Sequence, residues 1–174
     1  GKKFTSFTKN ITTMFNPNSL FDTLYLQMKT YNDTLEIGDV QIPLKQKINI
    51  TFRTTKKYNT AKTAVYEISG RTPSHQGGAW NNNKCTFSTK YFGKYTLLED
   101  TTIPTINHIG RNRFTIKDDL SGIKSYNAYL NGEWVLLTYD YRNSRIVLAP
   151  KKGTILKGEL KIVVTDNVDN KNIY

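Results

Sequence analysis

The chain has 174 residues, of which 37% are hydrophobic and 12% aromatic, and its formal net charge is +11. This length fits one large or two small domains, and the hydrophobic content argues against an intrinsically disordered chain. No apolar run approaches the ~20 residues that a membrane-spanning helix needs, and residues 1–10 lack the apolar core of a signal peptide.

The positive charge is uneven along the chain. Residues 1–98 hold 14 Lys and Arg against 5 Asp and Glu, a net charge of +9, whereas residues 99–174 hold 11 against 9. A basic half could meet an anionic partner such as nucleic acid, lipid headgroups or an acidic wall polymer. The lysines are scattered rather than grouped in blocks, so we expect a solvated basic surface and no nucleic-acid partner.

The first half of the sequence predicts short strands separated by turns. Apolar and polar residues alternate with a period of two, which is typical of half-buried strands, in residues 20–28, 40–44, 47–55, 63–69, 85–88 and 93–98. Residues 1–13 are predicted to be a mobile lead or an edge strand. Residues 70–83 are rich in Gly, Ser, Asn and Pro and therefore predict a loop.

A domain boundary is predicted at residues 99–104, because Pro104 forces extended backbone and its neighbours are polar. This divides the chain into modules at 1–98 and 99–174. The predicted strands of the second module are 113–117, 123–130, 133–139, 145–148 and 158–165. No window has helical periodicity. The sequence therefore predicts an all-β chain of two tandem immunoglobulin-like β-sandwich modules.

A hairpin is predicted at Asn131-Gly132, because both residue types accept the positive φ of a type I′ turn. The expected cross-strand pairs are Leu130 with Glu133, Tyr129 with Trp134, Ala128 with Val135 and Tyr126 with Leu137. Tyr129 and Trp134 then share the face opposite the core, where they could stack on a sugar or pack against another part of the protein. Trp80, in a Gly-rich stretch, is the third candidate ligand-binding aromatic.

Four aspartates lie in predicted strand-end loops and are candidate calcium ligands: Asp118, Asp119, Asp166 and Asp169. Calcium takes six to eight oxygen ligands from carboxylates and carbonyls, which these loops could supply if they met. The alternative is that each aspartate accepts hydrogen bonds from its own turn.

No catalytic residue, zinc site or cofactor site is predicted. His75 and His108 have no partner at the spacing that zinc ligands require. The single cysteine, Cys85, excludes an intrachain disulfide, and its strand-like surroundings predict a small buried residue rather than a nucleophile.

Four short motifs of the second module carry a family resemblance. They are Asp-Thr-x-x-Pro, Asp-Asp-x-Ser-Gly-Ile, Gly-x-Trp-Val and a Thr-Asp-Asn close, at residues 100–104, 118–123, 132–135 and 165–170. Together they resemble the C-terminal immunoglobulin-like region of lysostaphin-type (LytM-like) peptidoglycan metallopeptidases of Bacteroidetes. Residues 20–98 are similar more weakly, and Asp169 stands where that family usually has glycine.

The resemblance implies a non-catalytic accessory region of a cell-envelope peptidoglycan metallopeptidase, since the family's catalytic histidine motifs have no counterpart here. Such a region would position the enzyme or contact cell-wall glycan or a protein partner such as an upstream peptidase domain. It would be extracytoplasmic, in the periplasm or at the surface of a Gram-negative bacterium. The alternative is a stand-alone surface binding or adhesion protein that recognises glycan through Tyr129, Trp134 and Trp80.

Overall fold

A computed structural model of the chain describes residues 1–149 and 157–174. The described residues form two compact units, Gly1–Glu99 and Asp100–Tyr174, and each unit contains two antiparallel sheets and no helix. The predicted all-β class with two β-sandwich modules is therefore confirmed. In these ranges no helix offers the length and apolar character that crossing a bilayer requires.

The first unit is built from two five-stranded sheets with the orders β1-β2-β5-β9-β8 and β3-β4-β10-β6-β7. Its strands are β1 Lys2–Thr5, β2 Ile11–Phe15, β3 Met28–Tyr31, β4 Thr34–Ile37, β5 Ile48–Arg53, β6 Thr63–Glu67, β7 Ser74–Gly77, β8 Ala79–Asn81, β9 Lys84–Thr89 and β10 Gly93–Glu99.

The core of the first unit lies between its two sheets. In β5 the alternation is strict, so Ile48, Ile50 and Phe52 are buried, because successive side chains of a strand point to opposite faces. Tyr95 of β10 is fully buried and its ring lies 5.0 Å from the ring of Phe87 in β9. This aromatic contact joins the two sheets.

Two predicted strands of the first unit are wrong. Residues 20–27 contain bends and no strand, and β3 begins only at Met28. The leucines of this segment pack partly against the core, but Phe21 and Tyr25 are exposed, so no regular buried face exists. Residues 40–44 form a turn, in which Ile42 N donates to Asp39 O at 3.0 Å.

The loop predicted for residues 70–83 is also wrong, because it contains the edge strands β7 and β8 of the two different sheets. The chain passes from one sheet to the other at Gly78, which has a φ of +144°. A Cβ atom at this position would lie 2.7 Å from the Cys85 Sγ atom. The glycines that predict a loop therefore permit a close crossing over the core. At the chain start, Lys2–Thr5 form the edge strand β1, which is one of the two alternatives predicted for residues 1–13.

The described part of the second unit contains two four-stranded sheets with the orders β11-β12-β16-β15 and β14-β13-β17-β18. Its strands are β11 Thr105–Gly110, β12 Arg113–Lys117, β13 Ile123–Leu130, β14 Glu133–Val135, β15 Leu137–Asp140, β16 Arg145–Leu148, β17 Leu160–Asp166 and β18 Lys171–Ile173. The first order corresponds to the A-B-E-D sheet of an immunoglobulin domain. The second corresponds to its C-F-G sheet with β14 added at the edge.

The predicted hairpin has the expected register at Leu130–Glu133, Tyr129–Trp134 and Ala128–Val135. Asn131 and Gly132 both have positive φ, as a type I′ turn requires.

The fourth predicted pair of the hairpin, Tyr126 with Leu137, is wrong. Leu137 pairs instead with Leu148 in the opposite sheet, because the chain leaves the hairpin after Val135 and crosses the sandwich. Both Tyr126 and Leu137 still pack partly against the second core, so the apolar pattern is correct although the pairing is not.

Candidate functional site

An aromatic pair, of which one ring is exposed and the other half-buried, lies on the outward face of the sheet β14-β13-β17-β18. Strand register places Trp134, Tyr129 and Lys161 in one row across three strands. Trp134 is 58% exposed, and its Nε1 atom donates to Asn127 Oδ1 at 3.4 Å. We call these four residues the aromatic face. The predicted cross-strand pair of Tyr129 and Trp134 is present. An amide and a cation lie beside its two rings.

A small cleft adjoins the aromatic face. Its volume is about 260 Å³, and it is lined by Tyr129, Gly132, Glu159 and Lys161. Ligand pockets that enclose a small molecule usually start at about 300 Å³. The cleft therefore suits surface contact with one ring of a larger ligand, with a carboxylate and an ammonium group available for hydrogen bonds.

Trp80 belongs to the first unit and has the contacts of a packing residue. Its Nε1 atom donates to the Thr63 carbonyl at 2.8 Å, its ring lies 5.9 Å from that of Tyr58, and it packs against the first core. Burial and a hydrogen bond from the Tyr58 hydroxyl to Asp33 raise the pKa of Tyr58. Of the three aromatics that the sequence singles out, Trp134 is the one with a largely solvent-exposed ring.

Three aspartates meet at one end of the second unit. One carboxylate oxygen from each of Asp100, Asp118 and Asp166 lies within 4.8 Å of the others, and we call this group the carboxylate hub. Asp118 and Asp166 are calcium candidates from the sequence, whereas Asp100 comes from the predicted linker and was missed. The other two candidates lie outside the hub, since Asp119 is not a member and Asp169 forms an exposed ion pair with Lys124.

The loop between β12 and β13 supplies much of the hub's hydrogen bonding. Asp118 Oδ2 accepts from Gly122 N at 2.7 Å and from Leu120 N at 3.2 Å. Asp100 Oδ2 accepts from Ser121 N at 3.0 Å. These bonds hold the loop in a closed turn and fasten it to the start of the second unit.

The turn between β17 and β18 completes the hub. Asp166 is fully buried, and its Oδ1 atom accepts from Asn170 N at 2.7 Å and Val168 N at 2.9 Å. Asn170 Nδ2 also donates to the Asp100 carbonyl at 2.9 Å. The contacts are thus those of aspartates that stabilise their own turns. Three carboxylates are also the ligands that hard cations prefer, and calcium binding stays a prediction.

The remaining candidate groups pack against apolar or aromatic neighbours. His75 lies edge-on to Tyr66 at 5.4 Å, and His108 lies 4.8 Å from Phe114. Cys85 is buried in the first core, as predicted, and burial raises the pKa of its thiol to about 12. A neutral, buried thiol is a poor nucleophile.

Comparison with known proteins identifies the first unit. The Zu5-like domain family matches residues 2–100, which is more than half of the chain. The chain belongs to the Zu5-like domain family. No curated protein and no solved structure matches it. The Zu5-like match makes no reference to a peptidase, so the association with peptidoglycan metallopeptidases still depends on the motifs of residues 100–170.

The Zu5-like unit also carries a surface that the sequence did not locate. A groove of about 840 Å³ lies on the outward face of the sheet β1-β2-β5-β9-β8, and its basic lining residues are Lys3, Lys9, Arg53 and Lys84. The alternation of residues 47–55 does place Arg53 on the outward face of β5. Only the pairing of β1 with β2, and of β5 with β2 and β9, brings the other lysines and the surrounding hydroxyl groups to it.

Proposed function

We propose that the chain is a non-catalytic β-sandwich region of a cell-envelope protein, and that the aromatic face of its second unit contacts a glycan. The observation that carries this proposal is the exposure of Trp134, 58% of which faces solvent directly beside Tyr129. Single exposed apolar residues are normal on protein surfaces. A paired indole and phenol with polar groups around them is a less common arrangement and suits a binding surface.

The chemistry of the aromatic face favours a sugar over an apolar ligand. A pyranose ring presents C–H groups that pack on an aromatic ring, and its hydroxyl groups need hydrogen-bond partners around that ring. Asn127 and Lys161 lie beside the ring surfaces, and Glu159 lines the adjoining cleft. Polar groups at the edge of an aromatic contact fix the orientation of a ligand.

The motifs at residues 100–104, 118–123, 132–135 and 165–170 support a more specific form of the proposal. In that form the chain is an accessory region of a peptidoglycan metallopeptidase in the periplasm or at the cell surface, and the glycan is peptidoglycan. The alternative is a stand-alone surface binding or adhesion protein that uses the same face. The gene sequence upstream of residue 1 distinguishes these forms, because a zinc-peptidase domain there supports the first and a lipoprotein signal supports the second.

The test is retention of the full chain on purified peptidoglycan at 50 mM and 500 mM NaCl. Stacking contacts persist when salt screens surface charges, so we expect the unsubstituted chain to be retained at both concentrations. The amount of the W134A variant retained at 500 mM NaCl should be about tenfold lower than that of the unsubstituted chain, as expected when a central aromatic anchor is removed. The control is Y141A, which removes another aromatic of the second unit that is 72% exposed.

Retention of Y141A should equal that of the unsubstituted chain. Equal retention of W134A and Y141A at 500 mM NaCl would remove the aromatic face from the proposal. A chain that is not retained at either salt concentration would overturn the glycan contact itself. Zinc analysis and muropeptide release, measured on the same preparation, test the non-catalytic part, for which we expect neither bound zinc nor hydrolysis.

A further inference from the structure

The outward face of the Zu5-like sheet carries a continuous row of threonines. Strand register aligns Thr5 of β1, Thr12 of β2, Thr51 of β5 and Thr86 of β9 across four neighbouring strands. The Thr51 and Thr86 hydroxyl oxygens lie 2.9 Å apart. Thr5, Thr12 and Thr51 line the groove of about 840 Å³ described above, and we call this surface the basic groove. With Asn49 these threonines make most of its floor polar and uncharged, and Met14 is an apolar lining residue beside them.

Four exposed cations surround the threonine row. Arg53 and Lys84 are direct cross-strand partners at one side, Lys3 lies in β1, and Lys9 lies in the turn before β2. Within the described ranges no Asp or Glu lines the groove. Like charges directly opposite each other on neighbouring strands are destabilising. An anion bound between Arg53 and Lys84 would relieve this repulsion.

We propose that the basic groove binds an acidic polysaccharide, an extended sugar chain that carries carboxylate or sulfate groups. The four cations match the anionic groups, and the threonine row supplies donors and acceptors for sugar hydroxyls. This site lies in the first unit and uses residues different from those of the aromatic face. It therefore stands whether or not the second unit contacts a glycan.

Charge alone would also suit nucleic acid, but the groove lacks the other feature that nucleic-acid sites use. Proteins that bind single strands stack successive bases on aromatic side chains. The groove floor presents hydroxyl groups, and its one aromatic lining residue, Phe7, lies in the turn between β1 and β2 rather than on the sheet. A hydroxyl-rich floor between cations fits a polysaccharide better.

The first experiment measures affinity of the full chain for polygalacturonate, neutral dextran and single-stranded oligothymidylate at 50 mM NaCl. The R53Q/K84Q double variant removes the cation pair, and the K57Q/K90Q double variant is its control. Lys57 and Lys90 are exposed, belong to the same unit and lie outside the groove, so both variants lose the same net charge. Unchanged thermal unfolding shows that each variant is folded.

We expect binding to polygalacturonate and none to dextran. R53Q/K84Q should weaken the affinity for polygalacturonate about fivefold or more, since two exposed ion pairs are lost, and K57Q/K90Q should weaken it less than about twofold by long-range charge alone. Equal weakening by both double variants, or no binding to polygalacturonate, would overturn the proposal.

The second experiment tests the threonine row with the T12V/T51V double variant, which keeps the side-chain shape and removes two hydroxyls that line the groove. Loss of their hydrogen bonds should weaken polygalacturonate binding about threefold and leave oligothymidylate binding unchanged. Tighter binding to oligothymidylate than to polygalacturonate, with no effect of T12V/T51V, would identify a nucleic-acid surface and overturn the polysaccharide proposal. W134A, which changes only the second unit, should bind polygalacturonate normally. Failure of the polysaccharide proposal can therefore be distinguished from failure of the aromatic-face proposal.

Discussion

The two units have the same two-sheet architecture but bury different kinds of polar group. In the first unit the buried polar residues are all Ser or Thr: Ser6, Thr13, Ser19, Thr54, Thr63 and Thr89. In the described part of the second unit they include the carboxylates of Asp100 and Asp166 and the amide of Asn170. The first unit therefore depends on apolar packing, whereas the second adds a buried, charged network of hydrogen bonds.

The aromatic content of the two cores accounts for this difference. The first core contains Phe15, Phe52, Phe87, Phe92 and Tyr95, whereas Phe114 is the aromatic member of the second core. Aromatic side chains bury more area than any others, and a small domain buries a smaller fraction of its surface. A smaller, mainly aliphatic sandwich thus gains stability from aspartates that fix its loops.

Removing an aromatic residue from the first core should have the largest effect. Tyr95 is fully buried, packs on Phe87, and its hydroxyl donates to the Tyr91 carbonyl at 2.6 Å. Tyr95→Ala should lower the free energy of unfolding of the first unit by about 4 kcal/mol. Urea unfolding followed by Trp80 fluorescence, in a Trp134→Phe background, measures it.

The matched variant, Tyr95→Phe, keeps the ring and removes only the hydroxyl. The hydroxyl also lies 2.9 Å from the Thr89 Oγ1 atom, so its removal breaks two hydrogen bonds and should lower the free energy of unfolding by about 2 kcal/mol. If the two variants were equally destabilising, the hydroxyl rather than the ring would be the dominant contribution, and the contrast between the two cores would not hold.

Breaking the carboxylate hub should have the next largest effect, and it should be confined to the second unit. Asp166→Ala removes the acceptor of two backbone N–H groups and of Asn170 Nδ2. Because the lost hydrogen bonds are buried and their acceptor is a carboxylate, Asp166→Ala should lower the free energy of unfolding of the second unit by about 3 kcal/mol. Amide hydrogen exchange, resolved by residue, should show faster exchange in β13 and β17 while the strands of the first unit are unchanged.

Asp169→Asn is the control for the hub, because it removes a charge from the same turn and keeps a residue type that tolerates the positive φ of that position. The exposed ion pair that it breaks should be worth less than about 1 kcal/mol. Calcium provides the decisive comparison. If calcium slowed exchange in the unsubstituted chain and not in Asp118→Asn, the hub would be a cation site in addition to a turn-stabilising network.

The sequence predicts the parts of the fold that depend on local chemistry. Residues 47–55 alternate strictly because β5 has one face in the core, and Asn131-Gly132 accepts the backbone angles of its turn. It fails where partners are distant in sequence. The glycines of residues 70–83 predict a loop, but pairing with β6 and β9 converts this stretch into two edge strands.

The candidate sites can likewise be predicted where they depend on local sequence and not where their residues are distant in sequence. The pairing of Tyr129 with Trp134 follows from a two-residue turn, so it could be predicted. The hub could not, because Asn170 and Asp100 lie 70 residues apart and only the folded chain brings the linker onto two separate turns. The basic groove similarly needs the register of four strands, and alternation within β5 predicts only its own share, which includes Thr51 and Arg53.

The smallest expected effect is a difference between the units in alkaline solution. In the first unit burial raises the pKa of Cys85 to about 12 and also raises those of Tyr58 and Tyr95. In the second unit the exposed Asp140 has a lowered pKa, mainly because the Asn143 amide donates to it. The groups with raised pKa values in the first unit thus titrate in alkaline solution, whereas Asp140 titrates in acid.

The direction in which the stability of the first unit changes with pH follows from proton linkage. A raised pKa in the folded state means that the unfolded chain releases its proton first, so the contribution to stability is full below the unfolded pKa of ~8.5 for Cys and ~10 for Tyr. It is then lost as the pH rises toward the folded pKa. The urea midpoint of the first unit, reported by Trp80, should fall between pH 8 and pH 11, and that of the second unit should change less.

Cys85→Ala should lower the midpoint at pH 8 and flatten its decline between pH 8 and pH 10, before tyrosine ionisation contributes. A midpoint that declines equally in Cys85→Ala and in the unsubstituted chain over that range would show that the buried thiol contributes nothing to the pH dependence, and the contrast between the units would then depend on the tyrosines alone.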